Sequence, residues 1–165
     1  MTISLRAMHQ TVSDAVARAI GQPSPGFGGR RPGDAVEATV SFSGDMFGRV
    51  LVTMPRAQLI PLFGRELPGE RGAELELEDA FARCARTICQ AILKTMHPRE
   101  QFELSRAVIG PARRLDPSEV VVKLRDGWVG VWFRESPSST TTETAEDARR
   151  VSQPQTAHVR ALTPE

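Results

Sequence analysis

A single apolar stripe along residues 77–96 constrains the fold of this chain more than any other feature of its sequence. Apolar side chains recur there at spacings of three and four, which is typical of one face of a helix of about five turns. They are Leu77, Ala80, Phe81, Cys84, Ile88, Ala91, Ile92 and Met96. Pro98 ends the pattern, because proline cannot donate the backbone hydrogen bond that a helix requires. We expect this helix to be the central element of the core.

Two more helices are predicted upstream of it. The first has apolar positions at Leu5, Met8, Val12, Ala15, Val16, Ala19 and Ile20. Gly21 is suited to end it, since glycine readily adopts a positive φ, and residues 22–34 follow as a loop rich in Pro and Gly. A short helix is predicted to begin near Pro55, and Pro61 inside it should either cost a hydrogen bond or kink it. Its expected buried residues are Leu59, Ile60 and Phe63.

Strand patterns lie between and after these helices. From Ala35 to Ser43 apolar and polar residues alternate, which predicts a half-buried strand. Its inward face is formed by Val36, Ala38, Val40 and Phe42. A turn at residues 43–45 leads to a second β-rich run, so the two strands should form a hairpin. Three more β-rich runs follow, at residues 102–109, 119–124 and 128–133, with a hairpin turn at 125–127 between the last two.

Length and charge bound the domain count and the class of partner. A chain of 165 residues suits one domain, which we place at residues 1–134. Residues 135–165 hold ten Ser or Thr and three Pro, and we expect them to form a disordered polar tail. The 21 basic and 20 acidic residues leave a net charge of +1, which argues against nucleic acid as the main partner.

Apolar run length and cysteine placement bear on the location of the protein. No run approaches the roughly 18 apolar residues that span a bilayer, so no membrane insertion is expected. Residues 1–10 lack the pattern of a signal peptide, which favours a cytoplasmic protein. Cys84 and Cys89 lie five apart in the central helix and therefore point to different sides, so we expect free thiols.

Five sequence runs occur in an order that is seen in one known family. They are the N-terminal helix ending at Gly21, Phe42-Ser43-Gly44-Asp45-Met46-Phe47-Gly48, Leu62-Phe63-Gly64, Glu78-Asp79-Ala80 and Ala107-Val108-Ile109-Gly110. On these runs, residues 3–134 resemble the CheX/CheC chemotaxis phosphatase family. The resemblance implies an α/β fold of the α+β sandwich type, with long helices packed on an antiparallel sheet. That fold agrees with the αββααβββ order of the predicted elements.

The resemblance also implies an activity, the removal of phosphate from the aspartyl phosphate of CheY-type response regulators. In the family, the central helix carries a glutamate that pairs with a receiver lysine and, three positions later, an asparagine that orients the attacking water. Those positions hold Arg83 and Arg86 here, and Gln90 stands where a glycine is usual. A guanidinium has five donors and no acceptor, so neither catalytic role is retained. No asparagine occurs anywhere in the chain.

Polar residues on the far side of the central helix align at steps of three and four. We term them the polar ridge: Asp79, Arg83, Arg86, Gln90 and Lys94. The leading interpretation is that the ridge is the partner-binding surface of a non-catalytic CheX-like module in chemotaxis or two-component signalling. Its partner would be a response-regulator receiver or another signalling protein. The plainer interpretation is a solvated face with an i,i+4 pair between Asp79 and Arg83.

Two other functions stay open from the sequence. An active phosphatase could use Glu78 or Asp79 with Gln90, although Gln90 lies about 6 Å along the helix beyond the asparagine position. A structural role in motility is the third possibility, since related folds occur in flagellar switch proteins. The resemblance to CheX also raises the possibility of a homodimer formed through an exposed strand.

No metal or cofactor is expected. His9, His97 and His158 lack metal-ligand spacing, and His97 is expected to be a helix-end cation facing the helix dipole. The glycine-rich loop with Arg30 and Arg31 lacks the strand, helix and Lys-Ser/Thr pair of a phosphate-binding loop. The remaining expectations are a surface turn at Arg113 and Arg114, core packing for Cys84, and packing against the helices for Trp128 and Trp132.

Overall fold

The computed structural model describes residues 4–22, 26–28, 34–64, 73–112, 118–125 and 127–137. Within these ranges there are three α-helices: α1 (Leu5–Ile20), α2 (Leu59–Phe63) and α3 (Ala73–Met96). The strands are β1 (Gly26–Phe27), β2 (Ala35–Gly44), β3 (Met46–Pro55), β4 (Phe102–Leu104), β5 (Val108–Pro111), β6 (Val120–Leu124) and β7 (Gly127–Pro137). The predicted features at Arg30, Arg31, Arg113 and Arg114, and residues 138–165 of the tail, lie outside the described residues.

The strands form one antiparallel sheet. Its order is β1-β6-β7-β3-β2, and β2 then pairs with β4 at one end and with β5 at the other. The two predicted hairpins are present, since β2 pairs with β3 from Ala35↔Pro55 to Phe42↔Gly48, and β6 pairs with β7 up to Leu124↔Gly127. The single run predicted at 102–109 is two strands, because the chain between β4 and β5 leaves the ladder.

Helices α1 and α3 pack against each other, and they cover one face of this sheet. The helix ends follow the expected chemistry: the Ser4 hydroxyl accepts a hydrogen bond from the Ala7 N–H, and Gly21 ends α1 with a φ of 74°. The shared core contains the predicted inward residues of β2 and most of those of both helices. Leu5 is the exception in α1, since it lies in the first turn and is 74% exposed. The most deeply buried side chains of the core include Val16, Val40, Val50, Val52, Met54, Phe81, Ile88 and Ile92. The α+β sandwich expected from the sequence is therefore confirmed.

The glycines of the run 42–48 are required by close approaches in the core. A Cβ on Gly48 would collide with the carbonyl oxygen of Arg134 and lie 2.6 Å from Cζ of Phe42. The Phe42 ring stacks on Phe133 at 5.7 Å and meets Phe102 edge-on at the same distance. Within the run 42–48, the glycine at position 48 is thus required by packing rather than by chemistry.

The two tryptophans of β7 contradict one expectation. Val129, Val131 and Phe133 alternate with them and belong to the core under the helices. Because side chains alternate along a strand, Trp128 and Trp132 lie on the opposite face of the sheet and do not pack against α1 or α3. Spacing alone showed that the two rings share a face but not which face it is.

Three further details differ from the sequence prediction. Strand β7 continues to Pro137, so the folded part extends beyond the predicted boundary at residue 134. Ile60 of α2 is 66% exposed rather than buried, because consecutive helix residues point about 100° apart and it is Leu59 that faces the core. Glu37, expected on the solvated side of β2, is only 6% exposed.

Candidate functional site

Helix α3 presents one face to the core and the other to solvent. Phe81, Ile88 and Ile92 are fully buried, and they anchor the helix against the sheet. Two threonine hydroxyls on the outer side, those of Thr87 and Thr95, donate to the backbone carbonyls one turn earlier. The orientation of the outer face is therefore set by the apolar stripe on the inner face.

All five residues of the polar ridge are exposed on this outer face, as their spacing predicted: Asp79, Arg83, Arg86, Gln90 and Lys94. The pair between Asp79 and Arg83 expected of a plain solvated face is absent from the ion pairs of the described residues. Among those residues, neither the Arg83 nor the Arg86 guanidinium has a hydrogen-bond partner. Both side chains are available to an incoming molecule.

The chemistry of the ridge is that of a donor surface. Three cations and one carboxylate leave it with a net charge of +2. Guanidinium groups bind carboxylates and phosphoryl oxygens through two parallel hydrogen bonds, but they have no lone pair with which to hold or deprotonate a water molecule. The ridge can therefore bind an anionic surface, and Arg83 and Arg86 cannot act as a general base.

A groove of about 290 Å³ continues the ridge beyond its C-terminal end. Gln90 and Lys94 form one wall, and Glu100 and Gln101 from the following turn contribute polar groups. The apolar lining comes from Leu93, Phe102 and Leu104. The periodicity of α3 gave no sign of this groove, because four of its seven lining residues come from the chain after the helix.

His97 closes the end of α3 in a way that the sequence did not predict. Its Nε2 lies 2.8 Å from Oε2 of Glu135, and its Nδ1 lies 3.7 Å from Oε2 of Glu100. The imidazole also contacts the Phe102 ring at a centroid distance of 5.8 Å. His97 thus ties the end of α3 to β7 through Glu135 and also faces the Glu100 carboxylate of the following turn, whereas the sequence predicts only a contact with the helix dipole. The predicted boundary at residue 134 places Glu135 in the tail.

Both cysteines are free and buried, as predicted. Burial raises the pKa of each thiol from 9.0 to about 12, and the positive charge of Arg86 opposes this effect at Cys89. A thiol with such a pKa is almost entirely protonated near neutral pH and is a poor nucleophile. The role of the two cysteines is therefore to pack in the core.

The remaining histidines and helices bear on metal binding and on membrane insertion. No group of three or more His, Cys, Asp or Glu side chains there could hold a metal ion. His9 makes a ring contact with Phe27 at 5.1 Å, and His158 lies outside the described residues. No helix in these ranges is long and apolar enough to cross a membrane.

Comparison with known proteins supports the fold. No family model and no curated protein sequence matches the chain. Solved structures do match: the CheX–CheY–BeF3–Mg²⁺ complex from Borrelia burgdorferi is similar with a TM-score of 0.59 and 14% identity, covering 81% of this chain and 99% of that one. CheX from Desulfovibrio desulfuricans is similar with a TM-score of 0.57 and 13% sequence identity, covering 81% of this chain and 100% of that one. A CheC-like protein from a Shewanella species is similar with a TM-score of 0.58 and 7% sequence identity, covering 82% of this chain and 99% of that one.

These similarities define a class of fold, and the chain has the CheX-like α+β fold that its sequence suggested. At identities this low the fold is what the comparison shows. The activity has to be inferred from the residues that this chain places on that fold.

Proposed function

We propose that this protein is a non-catalytic CheX-like module of bacterial chemotaxis or two-component signalling that binds a response-regulator receiver through the polar ridge. The observation that carries the proposal is the exposed, unpaired state of Arg83 and Arg86 on α3. A CheX chain with the same fold occurs in complex with CheY, which supports a receiver as the kind of partner. Such a module would act in the cytoplasm.

The chemistry of the ridge argues against dephosphorylation. The family resemblance places the catalytic glutamate and asparagine at Arg83 and Arg86, where guanidinium groups supply neither a carboxylate nor a water-orienting carbonyl. Asp79 and Gln90 do not substitute for that pair, because eleven residues of helix separate them by about 16 Å. One water molecule cannot contact both side chains.

The positive charge of Arg83 also distinguishes this module from the family pattern, in which a glutamate at that position pairs with a receiver lysine. A lysine brought to 4 Å from Arg83 would be repelled by about 4 kcal/mol at an effective dielectric constant near 20. A receiver that binds here therefore needs another group at that point, or a docking position that moves its lysine away from Arg83. Either requirement makes this module selective among receivers.

The test combines binding with phosphate release. The purified chain is titrated against each receiver of its host, phosphorylated with acetyl phosphate, and decay of the aspartyl phosphate is followed in parallel. We expect one receiver to bind without any acceleration of its spontaneous decay. The double change Arg83→Glu with Arg86→Asn should produce measurable dephosphorylation of that receiver, while each single change does much less because the two groups act as a unit.

Thr87→Ala is the matched control, since Thr87 is exposed directly after Arg86 and its hydroxyl bonds only the helix backbone among the described residues. It should leave binding unchanged. Activity of the natural chain that survives Arg83→Ala with Arg86→Ala would instead establish an active phosphatase. Absence of binding to every receiver would overturn the proposal and favour a structural role in motility.

A further inference from the structure

Two arginines face each other on the side of the sheet opposite the helices. Arg49 of β3 and Arg134 of β7 are register partners, and both are exposed. Directly opposed residues of an antiparallel pair have Cβ atoms about 4.5–5.5 Å apart, and like charges at such positions destabilise the sheet. Among the described residues, neither guanidinium has a hydrogen-bond or ion-pair partner. The sheet thus carries an unfavourable pair of cations that nothing in these ranges neutralises.

Apolar side chains adjoin this pair on the same face. Leu51 and Trp132 are register partners two residues along the strands, and both are half-buried. The indole Nε1 of Trp132 donates to the Ser118 hydroxyl at 3.0 Å, which holds the ring in place. On the other side of the pair, Phe47 is 48% exposed. Aromatic residues and arginine are the types most enriched at the centres of protein interfaces.

The charges on this face indicate which kind of partner it fits. A symmetric contact with a second copy centred on the pair would place Arg49 and Arg134 against the same cations. A nucleic-acid backbone requires a basic track, but Glu103 of β4 is exposed on this same face and the whole chain has a net charge of only +1. Carboxylates of another protein satisfy both guanidinium groups and leave the apolar side chains to be covered.

We propose that Phe47, Arg49, Leu51, Trp132 and Arg134 form a second docking surface, which binds an extended protein segment with two neighbouring carboxylates beside an apolar side chain. The surface lies across the sheet from the polar ridge, so it can be occupied while α3 holds another partner. Each guanidinium forms two hydrogen bonds with one carboxylate of the segment. The apolar side chain of the segment packs against Trp132 and Leu51.

The experiment uses the full chain and a defined probe, a blocked peptide of sequence Glu-Ser-Glu-Ser-Leu-Ser, whose two carboxylates and leucine fall on one face when the peptide is extended. Binding is followed by the backbone amide shifts of the labelled protein and by tryptophan fluorescence, since Trp132 adjoins the pair. We expect amide shifts centred on residues 47–51 and 132–136. The affinity should fall at least tenfold when sodium chloride is raised from 50 to 500 mM, because salt screens the about two ion pairs that hold the peptide. A peptide with lysine in place of glutamate should not bind.

Variants separate docking from a structural role. Arg49→Gln with Arg134→Gln should weaken the acidic peptide at least tenfold, while the Tm stays unchanged or rises because the repulsion between the two cations is relieved. Arg6→Gln with Arg18→Gln removes the same charge from exposed positions of α1 and should leave the affinity within about twofold. Equal weakening by both double variants, a Tm lowered by the first one, or peptide shifts absent or confined to α3 would overturn the proposal. So would a patch-dependent dimer of the free protein.

Discussion

The two faces of α3 follow the same helical periodicity, but that periodicity predicts both position and role for the inner face and only position for the outer face. The inner face consists of Phe81, Ile88 and their neighbours, and the pattern predicted both its position and its role, because an apolar stripe has one physical use in water. The outer face was predicted equally well as a position. Its role depends on side-chain chemistry and on what lies beside the helix, and periodicity carries neither.

The difference shows that one face of a helix can hold a fold together while the other face carries unrelated chemistry. Close packing constrains the apolar stripe and Gly48, which lie against buried neighbours. An exposed helix face contributes little to stability, so charges on it can be replaced at small cost. Arg83 and Arg86 are therefore compatible with a CheX-like fold, since both are exposed and neither belongs to its core.

The two faces of α3 are separated most clearly by one substitution on each. Phe81→Ala should lower the free energy of unfolding by about 3–5 kcal/mol, because it removes a fully buried ring and leaves a cavity. Arg83→Ala should change it by less than about 0.5 kcal/mol. Urea unfolding measures both, and equal losses would contradict the assignment of the two faces.

The packing role of the glycine motif can be tested in the same way. Gly48→Ala should cost about 3 kcal/mol, since its Cβ would collide with the Arg134 carbonyl and crowd Phe42, and neither can move without displacing a strand or a buried ring. Gly110→Ala is the matched control, because a Cβ there meets nothing within 4 Å. A neutral Gly48→Ala would show that the resemblance at this motif has some other cause.

The buried thiols of α3 make stability depend on pH in a defined direction. Their folded pKa of about 12 exceeds the ordinary 9.0, so their contribution is fully present below pH 9 and is lost as the pH rises toward 12. By pH 10 the loss should be about 1.4 kcal/mol for each thiol. Cys84→Ala with Cys89→Ala should flatten this part of the curve measured by urea unfolding at pH 8 to 10, and an unchanged slope would contradict the effect of burial.

The contact between His97 at the end of α3 and Glu135 of β7 can be used to locate the end of the folded part of the chain. Truncation after Arg134 removes Glu135 and its 2.8 Å contact with His97, and should cost about 1–2 kcal/mol. Truncation after Pro137 keeps that contact and all of β7, and its Tm should stay within a few degrees of the full chain. If the two truncated chains melt together, the contact between His97 and Glu135 does not contribute to stability.

Much of the fold was predictable because local patterns and global packing agree. The alternation in β2, the stripe of α3 and the stop at Gly21 each specify an element from a few neighbouring residues. The failures occurred where the deciding neighbour is distant in sequence. Trp132 faces away from the helices because Val131 and Phe133 fill the core, and Ile60 is exposed because its neighbour Leu59 is the residue that the core covers.

The sequence by itself determined the class of fold and the exposed position of the polar ridge, since both follow from residue identity and helical spacing. Only the tertiary structure decided that Gln90 and Lys94 border a groove, that Glu135 reaches His97, and that Arg49 stands opposite Arg134. The physical reason is that strand register joins residues 85 positions apart, and no local preference encodes which side chains that register brings together.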